Sequence, residues 1–214
     1  LGAVDDLIDT NRALTADLEA QASALFSVAA FDREPDDDGA MLGSLLEIGP
    51  RLPKPSGEAP YVDMAALPTD SSRIGSVTRR GATGGARFQN GDTLLARLTP
   101  CLENGKAAFV DVLAGDEVAV GSTEFLVLRD RGEVGAHWPY VLTRSQRFRD
   151  YAILHMNGSS GRQRVSAESI MRYPIARPDP VALERFRGFA AQAFGAIAEL
   201  AAEVDHLTRT RDEL

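Results

Sequence analysis

The sequence predicts an α+β protein in which a globular middle of mixed helices and strands lies between two long helices. Two observations predict this class. Apolar residues recur in steps of three and four near both ends of the chain, and short strand-like and helix-like runs follow one another in the middle without regular βαβ alternation. We expect a helix over residues 1–26, an acidic linker over 27–40, a globular domain over 41–180 and a second helix over 181–214.

The first helix is predicted by a heptad-like stripe. Its members are Leu1, Val4, Ile8, Asn11, Leu14, Leu18 and Leu25. Asn11 is the polar member of the stripe, and a single polar residue at such a position fixes the register of paired helices. After the helix, the run DREPDDDG predicts a solvated linker, because it combines a proline and a glycine with many acidic residues.

Short strands and helices are predicted for the middle of the chain. Residues 51–60 contain three prolines, which restrict this stretch to a loop or to the edge of a sheet. Strand-like runs bounded by turn residues follow at 93–98, 107–113, 118–120 and 125–129. Helices are expected at 138–143, at 145–154 with Ser145 as the N-cap, and at 167–171 with Ser166 as the N-cap, before an extended run at 173–176.

The last helix carries the second heptad-like stripe. It comprises Phe186, Ala190, Ala193, Ile197, Leu200, Val204, Leu207 and Leu214, with a break at Arg211. This is the spacing of a coiled-coil seam. Because the chain begins with Leu in the middle of a heptad, we also expect it to be a fragment of a longer polypeptide.

Charge is distributed unevenly along the chain. The net charge is −8, but the first 40 residues hold ten acidic side chains against two basic ones, whereas residues 41–180 hold 17 basic against 15 acidic. Residues 72–106 and 144–172 each hold six basic residues against two acidic ones. Two basic segments of one domain can face a single polyanion. The alternative, that these arginines are scattered over a solvated surface, stays open at this point.

Composition limits the environment of the chain. No apolar run approaches the ~20 residues that span a bilayer, and the first residues lack the basic and apolar regions of a signal peptide. Cys101 is the single cysteine, so the chain has neither an internal disulfide nor a thiolate cluster for zinc. We therefore expect a cytoplasmic protein that does not associate with a membrane.

The sequence contains no recognisable catalytic or metal-binding pattern. His137, His155 and His206 lie too far apart to form a metal pair, and each is expected to be a surface or helix-lining residue. The residues around Cys101 lack the signature of a thiol enzyme, and Ser122 lacks the second glycine of a nucleophile elbow. The run RRGATGGARF is not followed by the Lys and Ser or Thr of a phosphate-binding loop, and we predict a flexible turn flanked by arginines.

Residues suited to contact nucleic acid cluster in one loop. The run HMNGSSGRQRV at 155–165 combines glycines with donor side chains that pair with phosphates or base edges. The alternative for this loop is a rigid structure whose arginines form internal salt bridges. Lys106, in the turn ENGKAA, either contacts the nucleic acid or is a solvated side chain without a function. We predict an interface formed by Asn157, Ser159, Ser160, Arg162, Gln163 and Arg164 of this loop, together with Lys106, Arg79, Arg80 and Arg87.

Several stretches resemble the specificity subunit of type I restriction-modification systems. They are GDTLLARLTPCLENGKAAFV at 91–110, VGSTEFLVLR at 120–129 and YAILHMNGSSGRQRVSAESIMRYPIARP at 151–178, which are similar to the frame of a target recognition domain. Residues 1–26 are similar to the central conserved segment of the subunit. The resemblance covers nearly the whole chain and implies one target recognition domain flanked by two spacer helices that form an antiparallel coiled coil.

The resemblance also implies a function. Such a subunit selects the DNA site and carries neither catalysis nor a cofactor, whereas modification subunits bind S-adenosylmethionine and methylate adenine, and a restriction subunit uses ATP. This chain would read one half of a split double-stranded DNA sequence. Its helices would dock the modification subunits and set the distance to a second recognition domain, in the same subunit or in a homodimer partner.

Two alternatives from other classes remain at this stage. The first is a coiled-coil module that binds other proteins but no DNA, which the acidic N-terminal segment and the two seams would suit. The second is a thiol-dependent hydrolase built on Cys101.

Overall fold

The computed structural model describes residues 2–29, 31, 33–35, 39–82, 84–159 and 161–213. Its helices are α1 (Gly2–Val28), α2 (Leu42–Leu45), α3 (Trp138–Arg144), α4 (Gln146–Leu154), α5 (Ala167–Met171) and α6 (Pro180–Asp212). Its strands are β1 (Ala40–Met41), β2 (Leu46–Ile48), β3 (Glu58–Val62), β4 (Thr78–Gly81), β5 (Ala86–Phe88), β6 (Thr93–Ala96), β7 (Ala107–Phe109), β8 (Ala119–Gly121), β9 (Phe125–Asp130), β10 (Met156–Asn157), β11 (Arg164–Val165) and β12 (Pro174–Ile175). The predicted α+β class is confirmed.

Side-chain caps explain where three of the helices begin. Ser145 and Ser166 cap α4 and α5, as predicted, because each hydroxyl accepts a hydrogen bond from the backbone N–H three residues later. The carboxylate of Asp179 does the same at the start of α6, where Pro180 occupies the first helical position. The last helix therefore begins at a sharp boundary with the globular domain.

The two long helices pack against each other in antiparallel orientation. Arg211 near the end of α6 forms an ion pair with Asp5 near the start of α1, at 3.5 Å. Phe186 near the start of α6 packs edge-on against Phe26 near the end of α1, with ring centroids 5.9 Å apart. The globular domain thus lies at the end of the pair where α1 ends and α6 begins.

The seam of α6 agrees with the predicted stripe. Phe186, Ala190, Ala193 and Ile197 are buried, and the stripe continues with half-buried residues beyond the globular domain. Leu1 and Leu214, which were assigned to the two seams, lie outside the described residues, as do the aspartates at 36–38 of the expected linker.

The buried side of α1 departs from the predicted stripe in its second half. Ile8 and Asn11 are buried as expected, but Leu14 is 46% exposed, and Ala22 and Phe26 are fully buried in its place. Positions three and four residues after Asn11 lie side by side on a helix, so the sequence spacing does not decide which of them faces α6. In the structure the step of four continues the seam, and Leu14 falls beside it.

Two four-stranded sheets stack in the globular domain. The first is antiparallel and has the order β2-β9-β6-β7, and the second has the order β4-β3-β8-β5 with β3 and β8 parallel. Phe88 of the second sheet packs with Leu94 and Val127 of the first in one buried cluster. Leu95 and Leu128 point to the other side of the first sheet and pack against the helices. The second sheet is therefore the outermost layer.

Residues 51–57 of the proline-rich stretch form a loop, as predicted, but its last three residues belong to a strand. Pro60 lies in β3, which is an inner strand of the second sheet. The parallel partner β8 pairs with Tyr61 and Val62 but not with Pro60. A residue without an N–H is tolerated at Pro60 because no pairing with β8 is formed there. In the run RRGATGGARF, expected to be a turn flanked by arginines, Gly84 and Gly85 lie in bends, and the two ends of the run belong to β4 and β5.

Candidate nucleic-acid interface

Strand register places a set of side chains on the outer face of the second sheet. Tyr61 of β3 pairs with Val120 of β8, and Val120 pairs with Arg87 of β5. Arg80 of β4 pairs with the residue two positions before Tyr61. Because side chains alternate between the two faces of a strand, Arg80, Tyr61 and Arg87 share the face opposite to the buried Phe88.

Adjoining hollows extend from this face around the β5 edge to β9 of the first sheet and contain four cationic side chains, Arg51, Lys54, Arg80 and Arg87; we call this surface the basic groove. The largest hollow, of about 680 Å³, is lined by Arg51 and Arg87. It shares Arg87 with a hollow of about 220 Å³ that includes Lys54, and this one shares Gly84 with a hollow of about 130 Å³ that includes Arg80. No acidic residue is found among the described residues that line the three hollows. The groove is therefore suited to a polyanion.

Arg87 holds the proline-rich loop over the sheet. Its guanidinium donates a hydrogen bond to the backbone carbonyl of Leu52. This contact positions Arg51 and Lys54, which lie on either side of Leu52 in the chain and whose exposed side chains bond to no other described residue. Both charges are consequently available to an external ligand.

Arg80 is held on an aromatic ring. Its guanidinium carbon lies 3.0 Å from the centroid of the Tyr61 ring, in a cation–π contact. The neighbouring Arg79 projects to the other side of β4 and forms an ion pair with Glu117 at 3.0 Å. The two adjacent arginines therefore have different environments, and Arg80 is the one that lines the groove.

The predicted loop 155–165 contains a short hairpin formed by β10 and β11. Within it, Arg164 donates hydrogen bonds to both carboxylate oxygens of Glu124, with an Nε–Oε2 distance of 2.8 Å and an Nη2–Oε1 distance of 2.7 Å. These bonds hold the pKa of the Glu124 carboxyl below its ordinary value. Glu124 follows Thr123, which lines the basic groove, so the base of the hairpin adjoins the groove.

The other predicted residues of the hairpin lie at its tip or in its backbone network. Arg162 is exposed, and its guanidinium has no partner among the described residues. The side-chain amide of Asn157 donates to the carbonyl of His155, and the carbonyl of Gln163 accepts from Thr99. The carbonyl of Ser159 accepts from the backbone N–H of Arg162, and Ser160 lies outside the described residues.

The structure thus brings together only part of the predicted interface. Arg80 and Arg87 meet in the groove, and the hairpin adjoins it. Arg79 faces away, and the ammonium of Lys106 donates to the carbonyl of Met64 at 2.9 Å, so this lysine serves the packing of a loop. Among the described residues, neither of these two lines the groove.

Two groove cations, Arg51 and Lys54, were not anticipated from the sequence. They lie in RLPKPSG, where the prolines indicated only irregular backbone. Prolines on both sides of Lys54 restrict the backbone and reduce the entropy lost when the loop is ordered. The combination of a rigid loop with two cations is the sequence signal that could have identified this binding surface.

Two residues considered as catalytic candidates, His137 and Ser122, have roles in packing and in a turn. His137 is stacked between Phe109 and Phe194, with ring centroids 4.5 and 4.6 Å away, and burial lowers its pKa to about 4. The hydroxyl of Ser122 accepts a hydrogen bond from the backbone N–H of Glu124 in the turn between β8 and β9. Within the part of the chain that the structure describes, no three His, Cys, Asp or Glu side chains come together as a metal site.

Among the described residues, no helix combines the length and the apolar character that crossing a bilayer requires.

Comparison with known proteins identifies the architecture. No protein-family model matches the chain. The HsdS subunit from Thermoanaerobacter tengcongensis matches with a TM-score of 0.51 at 14% identity, over 98% of this chain and 54% of that one. The type I restriction-modification S subunit from M. genitalium matches with a TM-score of 0.54 at 14% identity, over 99% and 55%. The chain therefore has the fold of one half of such subunits.

Sequence similarity points to the same class. The chain is 30% identical over 144 residues to the specificity subunit of the Escherichia coli type I restriction enzyme EcoEI, which is 64% of this chain and 24% of that protein. It is 35% identical over 97 residues to the EcoAI specificity subunit of Escherichia coli, which is 44% of this chain and 16% of that protein. The resemblance to type I specificity subunits is confirmed. The matched part spans about a quarter of the length of the first curated relative.

Proposed function

We propose that this chain is one half of a type I specificity subunit and that its globular domain binds one half of a bipartite double-stranded DNA target. The observation that carries the proposal is the basic groove, where four cations line adjoining hollows at the second sheet and its β5 edge without a carboxylate among the described lining residues. Phosphates supply the complementary charge, and such contacts account for a large share of protein–DNA affinity. The chain itself would catalyse no reaction and hold no cofactor.

The acidic net charge of −8 does not oppose this proposal. Acidic residues are concentrated in the first 40 positions, whereas the described residues that line the groove belong to the second sheet, to the loop at 49–55 and to residues 123–127. At physiological ionic strength, charges farther apart than about 8 Å are largely screened at a surface. The groove would therefore attract a duplex despite the acidic helix pair.

The binding test uses the full chain assembled with modification subunits of a type I system, because one half-site offers few contacts. We expect the wild-type complex to retain duplex DNA specifically. In the double variant Arg51→Ala/Lys54→Ala, the slope of the logarithm of the binding constant against the logarithm of the salt concentration should be smaller in magnitude by ~2, since two phosphate contacts would be lost. The matched control is Arg172→Ala/Arg209→Ala, two exposed arginines, one directly after α5 and one in α6, that do not line the groove. Equal salt dependence in both double variants, or no specific binding by the wild type, would refute the proposal.

The hairpin offers a second region of the same interface. Arg162 has an uncompensated charge among the described residues, whereas the charge of Arg164 is balanced by Glu124. We therefore expect Arg162→Ala to weaken DNA binding and lower the salt dependence, with the fold intact. The further change Arg164→Ala in the double variant Arg162→Ala/Arg164→Ala should have a smaller effect, because the Arg164 guanidinium already donates to Glu124 and is not free to contact a phosphate.

The helix pair would dock modification subunits and set the separation between half-sites. Leu7 and Leu14 of α1 are each 46% exposed, and acidic residues flank them, so this side of α1 offers an apolar stripe with a charged rim. Leu7→Ser/Leu14→Ser should reduce co-purification with modification subunits, whereas Arg12→Ala on the same helix should not. If the two variants co-purify equally well, this surface is not the docking site.

A protein-binding module without affinity for DNA is the competing function. The exposed leucines of α1 are the observation in its favour. It predicts co-purification with modification subunits but no retention of duplex DNA by the assembled complex. The same binding experiment therefore separates the two functions.

A further inference from the structure

One groove cation differs from the other three in how it is held. The guanidinium of Arg80 lies over the ring of Tyr61, and no described residue accepts a hydrogen bond from it. Arg87 uses its guanidinium to hold the carbonyl of Leu52, and Arg51 and Lys54 extend from the loop without a described partner. Arg80 therefore combines a fixed position with unused hydrogen-bond donors.

We propose that Arg80, supported by Tyr61, reads a guanine through the major groove of the DNA half-site. The inference rests on the proposed function and adds to it the identity of one recognised base. Guanine presents two acceptors, O6 and N7, in the major groove, and the planar fork of arginine matches both at once. Adenine and cytosine present an amino donor at this edge, which a guanidinium cannot accept.

The surroundings of Arg80 leave space for a base edge. The hollow of about 130 Å³ next to it is lined by small residues, among them Ala59, Gly81, Ala82 and Gly84. None of these side chains has a polar atom that competes for the guanidinium donors. Since glycine adds no side chain, the backbone of the sheet edge does not obstruct the approach of a duplex.

A contact to phosphate is the simpler role for a groove arginine, and the position of Arg80 argues against it. The cation–π contact fixes the orientation of the Arg80 guanidinium. A phosphate contact does not require a fixed orientation, because phosphate oxygens accept hydrogen bonds from many directions. Arg51 and Lys54, on the loop above the sheet, already supply charges for the backbone. Positioning by phosphate contacts and reading by a fixed side chain are separate tasks in protein–DNA interfaces.

The test measures base preference and salt dependence separately in the chain assembled with modification subunits. Duplexes with each base pair substituted in turn would first define the half-site of the wild type, which we expect to contain a G·C pair. Arg80→Ala should then bind the four base pairs at that position within about twofold of one another, where the wild type prefers guanine roughly ten- to hundredfold. The salt dependence should stay unchanged.

Two controls connect the effect to the stacked geometry. Tyr61→Phe keeps the ring and should behave like the wild type, whereas Tyr61→Leu should lose part of the preference. Arg79→Ala, at the neighbouring position that faces away from the groove, should leave the preference intact. Thermal unfolding of each variant verifies that the fold is retained.

A modified base provides a test from the DNA side. Replacement of the guanine by 7-deazaguanine removes the N7 acceptor, so it should weaken binding of the wild type and leave binding of Arg80→Ala unchanged. A reduced salt dependence with unaltered base preference in Arg80→Ala would identify a phosphate contact and overturn the inference. Unchanged preference and unchanged salt dependence would overturn it as well. In this experiment, the absence of specific binding by the wild type would refute the proposed function itself.

Discussion

The side-chain amide of Asn11 donates a hydrogen bond to the carboxylate of Glu203, at 2.9 Å, and this bond joins α1 to α6. Asn11 is 6% exposed, so its polar group needs this partner. A shift of either helix by one turn would separate the two groups and leave the amide buried without an acceptor. The pair therefore fixes the register of the helices along which a half-site distance would be set.

Removal of this polar contact should stabilise the chain. A leucine at position 11 would add apolar burial in the seam, and Glu203 is exposed enough to be solvated without its partner. We expect Asn11→Leu to raise the free energy of unfolding by ~1 kcal/mol, because buried polar seam residues provide register at a cost in stability. Denaturant unfolding measures the change. Glu203→Gln, which retains an acceptor, is the control, and a less stable Asn11→Leu would contradict the register role.

The stack of His137 on Phe194 makes the attachment of α6 to the globular domain dependent on pH. Burial lowers the pKa of His137 from 6.5 to about 4. Between these values the unfolded chain takes up a proton that the folded chain does not, so stability decreases as the pH falls from about 6.5 towards 4, by at most ~3 kcal/mol. Above pH 6.5 the contribution is complete.

The variant His137→Phe isolates this effect because it keeps the aromatic stack and removes the titrating group. We expect its free energy of unfolding to fall less steeply than that of the wild type between pH 6.5 and 4, since other titrating groups contribute equally to both. His206→Gln, at an exposed position of α6, should follow the wild type. Parallel pH profiles for His137→Phe and the wild type would contradict the contribution of the lowered His137 pKa to stability.

An ion pair connects β9 of the first sheet to the residue that precedes β6. Asp92, which is 1% exposed, accepts hydrogen bonds from Arg129 Nε at 2.7 Å and Nη2 at 2.8 Å and also accepts from the backbone N–H of Gln89. Asp92→Ala should lower the free energy of unfolding by ~3 kcal/mol, because it leaves a partly buried guanidinium without its partner. Thermal or denaturant unfolding provides the measurement. Asp116→Ala, at an exposed site, is the matched control and should change stability by less than ~0.5 kcal/mol.

Local sequence signals were sufficient to predict most of the helices and the strands of the first sheet. The caps at Ser145 and Ser166 fixed helix starts to the residue, because a hydroxyl that accepts from the third following N–H is a local interaction. The strands at 93–96 and 125–130 were found because apolar runs bounded by turn residues mark buried strands. Each of these signals acts within a few residues.

Of the second sheet, only β8 was predicted in the same way, and two of the four groove cations, Arg51 and Lys54, were missed. Its edge strand Thr78–Gly81 is exposed at every position, so it shows no apolar alternation, and Pro60 and the glycines of RRGATGGARF indicate loops. These strands depend on partners distant in the chain, such as β3 on β8. The convergence of Arg51 with Arg80 across the sheet is a consequence of that long-range pairing.

The close approach of Gly85 to Gly121 shows how that pairing constrains the groove. Gly85 has a φ of +118°, and a Cβ built at this position would lie 1.9 Å from the carbonyl oxygen of Gly121. Both atoms belong to positions fixed by the β5–β8 ladder, so the clash cannot be relieved by a side-chain rotation. Any other residue at 85 would have to separate β5 from β8.

We therefore expect Gly85→Ala to lower the free energy of unfolding by more than ~3 kcal/mol, through the positive φ and the steric clash together. Gly84→Ala is the matched control. A Cβ at Gly84 would meet nothing within 4 Å, so its stability should change by less than ~0.5 kcal/mol. Since Arg87 lies two residues beyond Gly85 on β5, the displaced strand should also release the Leu52 carbonyl and disperse the groove cations. Denaturant unfolding and salt-dependent DNA retention of the two alanine variants measure both effects, and equal stability of Gly85→Ala and Gly84→Ala would contradict this account of the β5–β8 contact.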